Sequence, residues 1–594
     1  MGLVTRRSRL LLLVLVVVGV LAVGAVWIYV KGQQAADALA SARDGVTLVR
    51  QDLVDGQTAE AAQRLTVVQG DTVRAVDATS DPVFAIASAI PVIGATPAAV
   101  SDVADAADAL AQQALPDLVE AGIALSPDAL RADGKQLNLA AFEQAAPALE
   151  SAEASLGTIT ADVAGIETDG TPTQVQDAVS SLQTQLDAAL ADTQSAARGA
   201  ELIPPMLGAN GERDYFLALQ SNNEARGTGG FFGSFGVVTA DEGRVNIRQL
   251  APSSKLYDQT YDKLPLDFGP DYAALYGDDP ASWAGANMSP HYPYAAQLWL
   301  KMWQDRTGER LDGAITTDPV TLSYLLKATG PVTLPDGRVI SADNVVSFTE
   351  NEIYFLIEDD AERDAYLQTV AKASFDAVFS GKADPRALID ALGKAAGERR
   401  LLVYSDRVNE QKQLAASPVG GALPGDAAPF AGLATINGGG NKLDYYLDQS
   451  LTYELIGCTP DGGRRGQITV TYKNNAPGDG SLPIYVDGRN DRPLDANGQP
   501  LSGNGDHFFY SQVYATAGSS LVSAVQDGKP LAVEQQREQG HTVFRTGVEL
   551  AAGASTTLVF EVAEPATDGD ITTFVTPLVK PVTQDADTRK CTAD

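Results

Sequence analysis

Cysteine and histidine are nearly missing from this chain: its 594 residues hold two of the first and three of the second. Two thiols cannot build a zinc site unaided, and His291, His507 and His541 show no ligand spacing. Cations are scarce too. Against 76 acidic side chains stand 43 Lys and Arg, for a net charge of -33. Such a chain repels a phosphate backbone, so nucleic acid is not among the expected partners. Aromatics are almost absent between about residues 33 and 200, which leaves that stretch only aliphatic side chains for a core.

Charge is absent altogether between Leu10 and Val30, a run long enough to cross a bilayer as a helix. Arg6, Arg7 and Arg9 precede it and Lys31 follows, so the positive-inside rule predicts a cytoplasmic tail (1–9), a transmembrane helix (10–30) and everything later outside the cell membrane. The run exceeds the roughly 7–15 apolar residues of a signal h-region, which favours an uncleaved single-pass anchor over a cleaved signal peptide with small residues near Ala22 to Ala25. Cys458 and Cys591 both fall in the exported part, where an oxidising compartment makes a disulfide between them the expected role.

What is present changes style along the chain. In "VQDAVSSLQTQLDAAL", Val175, Val179, Leu182, Leu186 and Leu190 recur at steps of four and three, one face of a helix. Similar pieces over about 35–78, 98–125 and 138–165 predict a helical stalk or bundle (33–200). After it, "LDGAITTDPVTLSYLLKATGPVTLPDGRVI" reads as a strand, then a helix capped by Asp318 and ended at Gly330, then a hairpin around Pro335-Asp336-Gly337. A central α/β domain (201–440) follows from that order. From about 441, alternation such as Leu451, Tyr453, Leu455 and Ile468, Val470, Tyr472 predicts an immunoglobulin-like β-sandwich with a tail (441–594). The fold class expected is therefore multidomain α+β.

The stretch "NNEARGTGGFFGSFGVV", Asn222 to Val238, has glycines enough to raise the question of loop chemistry. A dinucleotide loop fails because Phe232 stands where the third glycine belongs, a P-loop lacks its Lys and Ser/Thr, and Ser234 is mis-spaced for a nucleophile elbow. The expected reading is two strands and a bend, with Phe231, Phe232 and Phe235 buried.

Together with "RDYFLALQS", "LDGAITTDPVTLSYLLKATGPV" and "GGGNKLDYYLDQSLTYE", this stretch closely resembles an envelope family of Gram-positive bacteria, chiefly actinobacteria, catalogued as domain of unknown function 4012. That label implies no activity. The order of elements is also similar to LytR-CpsA-Psr enzymes, membrane-anchored phosphotransferases that move glycopolymers from polyprenyl-phosphate carriers onto peptidoglycan. The likeness implies a cell-wall glycan or polyprenyl-phosphate lipid as partner and a divalent cation such as magnesium as a possible cofactor. It assigns Arg226 and Arg363 to phosphates, with Asn222, Asn223 and Glu224 beside them and Asp214, Asp359 and Asp360 as metal candidates. Chemistry on a pyrophosphate needs such guanidinium forks and carboxylates. The sequence departs from those enzymes at Pro252-Ser253-Ser254 and at Tyr366, where their further arginines would stand. A degenerate, ligand-binding domain, or a non-catalytic envelope scaffold in which these arginines form ordinary pairs, is the alternative to an active transferase.

Overall fold

The computed structural model describes residues 2–90, 94–131, 136–380, 383–425, 428–496 and 498–591, with the side chains of 2–25 and Val54 outside the description. The chain divides into two compact units, Met1–Gly211 and Glu212–Asp594.

The first unit is helical. Its long helix Gly2–Val54 turns back at Asp55-Gly56-Gln57 into Thr58–Thr79. The continuous helical piece expected over 35–78 is thus an antiparallel pair, broken where Gly56 takes φ +72, a left-handed conformation glycine adopts without a Cβ penalty. Ala95–Ala109 runs through a π-turn, Leu110–Ala114, into Leu115–Ala124, and Leu139–Ala164 packs on Thr173–Met206. Alanine lines much of the buried seam, with Leu156, Ile159 and Val163 filling it. Small side chains let helix backbones approach closely, and the lack of rings splits the interior into several small apolar clusters.

The expected transmembrane helix needs correction. No helix among the described residues is long and apolar enough to cross a membrane. The side chains of 10–25, most of the uncharged run, lie outside the described residues.

The second unit opens with a mixed five-stranded sheet. Its strands are β1 (Arg213–Ser221), β2 (Phe231–Asp241), β3 (Arg244–Pro252), β4 (Gly313–Thr317) and, after a small hairpin of β5 (Val332–Thr333) with β6 (Val339–Ile340), β7 (Leu402–Ser405). The order is β3-β2-β1-β4-β7, with β1 antiparallel to β2 and parallel to β4. Against it packs the helix Tyr292–Thr307, whose Trp299, Met302 and Trp303 join Phe216, Phe232, Phe235 and Trp283 in one aromatic core. The helix Pro319–Thr329 begins where the Asp318 carboxylate accepts the Thr321 amide at 2.7 Å and ends at Gly330, φ +84.

A two-sheet sandwich completes the unit. Its strands are β8 (Phe430–Asn437), β9 (Leu447–Cys458), β10 (Arg464–Asn474), a ribbon of β11 (Gly488–Arg489) with β12 (Leu501–Ser502), β13 (His507–Ala517), β14 (Ser520–Gln526), β15 (Lys529–Pro530), β16 (Glu534–Glu538), β17 (His541–Leu550), β18 (Ser555–Glu564), β19 (Thr572–Val575) and β20 (Thr583–Ala586). One sheet runs β15-β14-β18-β10-β9-β20, the other β16-β17-β13-β8-β19. Tyr453, Ile468, Val470, Phe509, Val513, Phe544 and Phe560 fill the space between them. The sandwich starts at β8, before residue 441, because Leu433 belongs to that core. A disulfide joins Cys458 at the end of β9 to Cys591, 133 residues later.

Candidate functional site

The loop that follows β1, Asn222 to Gly230, sits where the α/β sheet meets the sandwich. Its glycines are there for close packing. A Cβ on Gly227 would lie 2.3 Å from the Met288 carbonyl oxygen, and one on Gly230 2.4 Å from that of Ser221. The amide of Gly229 donates to the Arg226 carbonyl at 2.9 Å, so it is spent inside the loop rather than turned to a ligand. The sandwich grips the loop from its other side. Asn437 N–H donates to the Ala225 carbonyl at 3.0 Å, and Ala225 N–H donates to the Asp444 carboxylate at 2.8 Å. Asp444 is fully buried and also accepts from Asn437 at 2.6 Å, with its other oxygen 2.8 Å from His507 Nε2. Burial raises its pKa, but His507 and these donors more than offset that and hold it below the ordinary carboxylate range.

Inside this clamp lies a cluster of charges. Glu224 is buried between Arg226, 2.7 Å away, and Lys442, which donates to its second oxygen. Burial pushes the Glu224 carboxyl up, yet Lys442 and Arg226 win and hold it low; Lys442, desolvated as it is, is held above its usual value by Glu224. Both cations also lie over the Phe231 ring, at 5.4 and 5.0 Å.

Asn223 faces the other way. Its backbone amide donates to Glu350 Oε2 at 2.8 Å, and its side-chain amide donates to the Glu350 carbonyl at 2.8 Å and to the Tyr354 hydroxyl at 3.1 Å. Glu350 stands in a π-turn, Phe348–Glu352, wholly out of water, and burial pushes its carboxyl up to about 8. It is therefore a neutral acid at pH 7. Asn222 is fully buried, with no partner for either amide atom.

Arg363 joins this cluster through tyrosine. It is 2 % exposed, lies 3.8 Å from the Tyr485 ring and 5.2 Å from that of Tyr354, and the Lys442 ammonium is 5.7 Å from the same Tyr485 ring. Its guanidinium donates to the carbonyls of Ile357 and Glu358 and pairs with Asp360. Arg226 and Arg363 thus flank one buried cation cluster, each already engaged by internal partners.

Of the metal-candidate acids only Asp360 reaches them. Asp214 stands at the opposite end of β1, roughly 26 Å from Asn222 at about 3.3 Å of strand rise per residue, where it accepts from Thr239 at 2.5 Å. Asp359 caps its helix by accepting the Glu362 amide at 2.8 Å, and Asp360 is the exposed partner of Arg363. Among the described residues no three His, Cys, Asp or Glu side chains converge to hold a metal ion.

Beside the cluster opens a cleft of about 420 Å³. Its floor is the outer face of the second sandwich sheet, where Ile436 of β8, Tyr510 and Gln512 of β13 and Arg545 of β17 lie in register. Its roof is the segment Leu275 to Met288, and Arg226 closes one end. Sequence reading missed Lys442, Glu350, Asp444 and Arg545. For Lys442 and Asp444 a signal existed: "GGGNKLDYY" places a cation and an acid directly after a glycine run, and was used only as a family fingerprint.

No curated protein matches the chain. A family model does match, over residues 210–354, from β1 through the helix that carries Tyr354. The match gives no support to the LytR-CpsA-Psr likeness. Its span takes in the loop Asn222–Gly230 and the Asn223–Glu350 contact, and over those residues the chain matches the family described as "Protein of unknown function (DUF4012)".

Proposed function

We propose that this chain is an exported cell-envelope protein that binds a phosphate-bearing glycan, such as a polyprenyl-phosphate-linked one, without transferring it. The observation that carries the reading is the gathering of cations around Tyr485. Arg226, Lys442 and Arg363 come together there, with Glu224, Asp360 and Asp364 as the acids beside them and Glu350 holding its proton. In a chain of net charge -33, three cations in one place are a local concentration of positive groups suited to an anion. The Cys458–Cys591 bond supports export, since such bonds persist in oxidising compartments.

Binding rather than catalysis is favoured because both sequence-read arginines have internal partners and, among the described residues, the three candidate metal ligands do not converge. A phosphotransferase needs free guanidinium forks and a held cation at the leaving pyrophosphate. The test mixes the full chain with geranylgeranyl pyrophosphate and magnesium, following binding by calorimetry and phosphate release by ³¹P NMR. Binding with no release is the expected outcome. Release dependent on Arg226 would show a transferase, and absence of binding would leave a scaffold.

A further inference from the structure

The cleft beside Arg226 contains a cation that no carboxylate neutralises among the described residues. Arg545 lies with its guanidinium 4.3 Å from the Tyr510 ring centre and gives one hydrogen bond, 3.2 Å, to the Leu275 carbonyl. No carboxylate pairs with it among the described residues. Glu534, its cross-strand neighbour in β16, is exposed and makes no ion pair with it. The Arg545 Nε is buried and without an acceptor, as is the Nε of Arg226 at the other wall.

The surroundings fit the same ligand. Gln512 is the cross-strand partner of Arg545 on the cleft floor and is 1 % exposed. Its side-chain amide lies 3.4 and 3.3 Å from the hydroxyls of Tyr276 and Tyr514 and lines the wall. Those two hydroxyls donate to Glu538, at 2.9 and 2.6 Å, behind the amide. Tyr510 adds a half-exposed ring at the floor, and Asp279, exposed on the roof, is the one acid lining the space.

We propose that this cleft seats the oxyanion of an acidic sugar, a phosphate ester or a uronate, with Arg545 as its principal cation, Arg226 and Gln512 as further donors and Tyr510 beside the ring. An oxyanion accepts from several N–H groups at once, and a guanidinium presents them in a planar fork. The volume of about 420 Å³ holds one sugar with its charged substituent and lies within the usual range for small-molecule sites. The proposal names the seat of the ligand in the binding reading above and rests on it only for the glycan as source of the sugar.

The test titrates the full chain with inorganic phosphate, glucose 1-phosphate, glucuronate and glucose, read by calorimetry. The charged ligands should bind and glucose should not. Arg545→Gln should weaken them by roughly tenfold or more, the loss of a charge-assisted contact, and Arg545→Lys should restore part. Tighter binding of glucose 1-phosphate than of glucuronate identifies a phosphate ester, and the reverse a uronate. Should Arg545→Gln fail to fold, as judged by its thermal midpoint, Ala284→Phe fills the roof without touching a cation and should abolish binding equally. Glucose binding as tightly as the acids, or affinity unchanged in both folded variants, overturns the proposal. Geranylgeranyl pyrophosphate binding that survives both variants overturns this seat while the binding reading stands. Sugar-phosphate binding lost in the variants, with no affinity for the lipid, supports the seat and removes the polyprenyl carrier.

Discussion

The helical unit and the unit that follows bury opposite kinds of chemistry. In the first, alanine and leucine at helical spacing make the interior, and what ionic contacts it has, such as Arg64 with Asp52 and Arg74 with Asp71, tie single buried acids to exposed arginines. In the second, Phe, Tyr and Trp fill the cores, and a chain of buried polar groups runs from Glu350 through Asn223, Glu224 and Lys442 to Asp444 and His507. An apolar seam tolerates small errors because its interactions are non-directional. A buried charge network does not, because each group depends on partners it cannot replace with water. The glycine-bearing loop at Asn222 belongs wholly to the second regime.

The sharpest way to break the comparison is Lys442→Met. It leaves Glu224 buried with Arg226 alone, and removing one member of a buried ionic cluster costs about 3–5 kcal/mol. Calorimetry of the full chain should show the transition of the second unit fall while that of the helical unit stays in place. If both move together, the two units do not melt independently. A somewhat smaller loss, about 2–4 kcal/mol, is expected from Leu156→Ala, because Leu156 is fully buried in its seam. That loss should appear in the helical transition alone.

A further expected effect concerns pH and sharpens the contrast. Glu350 keeps its proton in the folded chain up to about pH 8, whereas the unfolded chain gives it up near 4.5. The folded form therefore binds the extra proton between those values, and the contribution to stability is present at low pH and lost as pH rises through about 8. Glu350→Gln, neutral at every pH, should flatten the decline of the second transition between pH 5 and 8. An equal slope in variant and parent would show that Glu350 is ionised in the fold.

Legibility followed the range of the interaction. The helix Pro319–Thr329 was readable because its cap, its first-turn proline and its terminating glycine all lie within a dozen residues. The antiparallel break at Gly56 was not, because a glycine in an amphipathic run carries no directional mark until a partner helix packs on it. Arg226 is singled out in the sequence by the family likeness, but its partner set is hidden there. Lys442 is 218 residues away from Glu224 in the chain, and Glu350 is 127 from Asn223. Arg545 looked like any alternating polar residue on a strand until β13, β8 and the roof segment enclosed it.

By itself, the order of residues determined the helical and strand periods, the caps that end the elements, the excess of acid and the presence of two cysteines fit to pair. Those are local or compositional properties, set by rotamers, backbone dihedrals and charge counts. Only the tertiary structure decided which of the arginines are spent on internal partners and which one is left facing a cleft. Burial and pairing are properties of what surrounds a side chain, and here the surroundings come from segments as far apart in the sequence as Leu275 and Arg545, 270 residues.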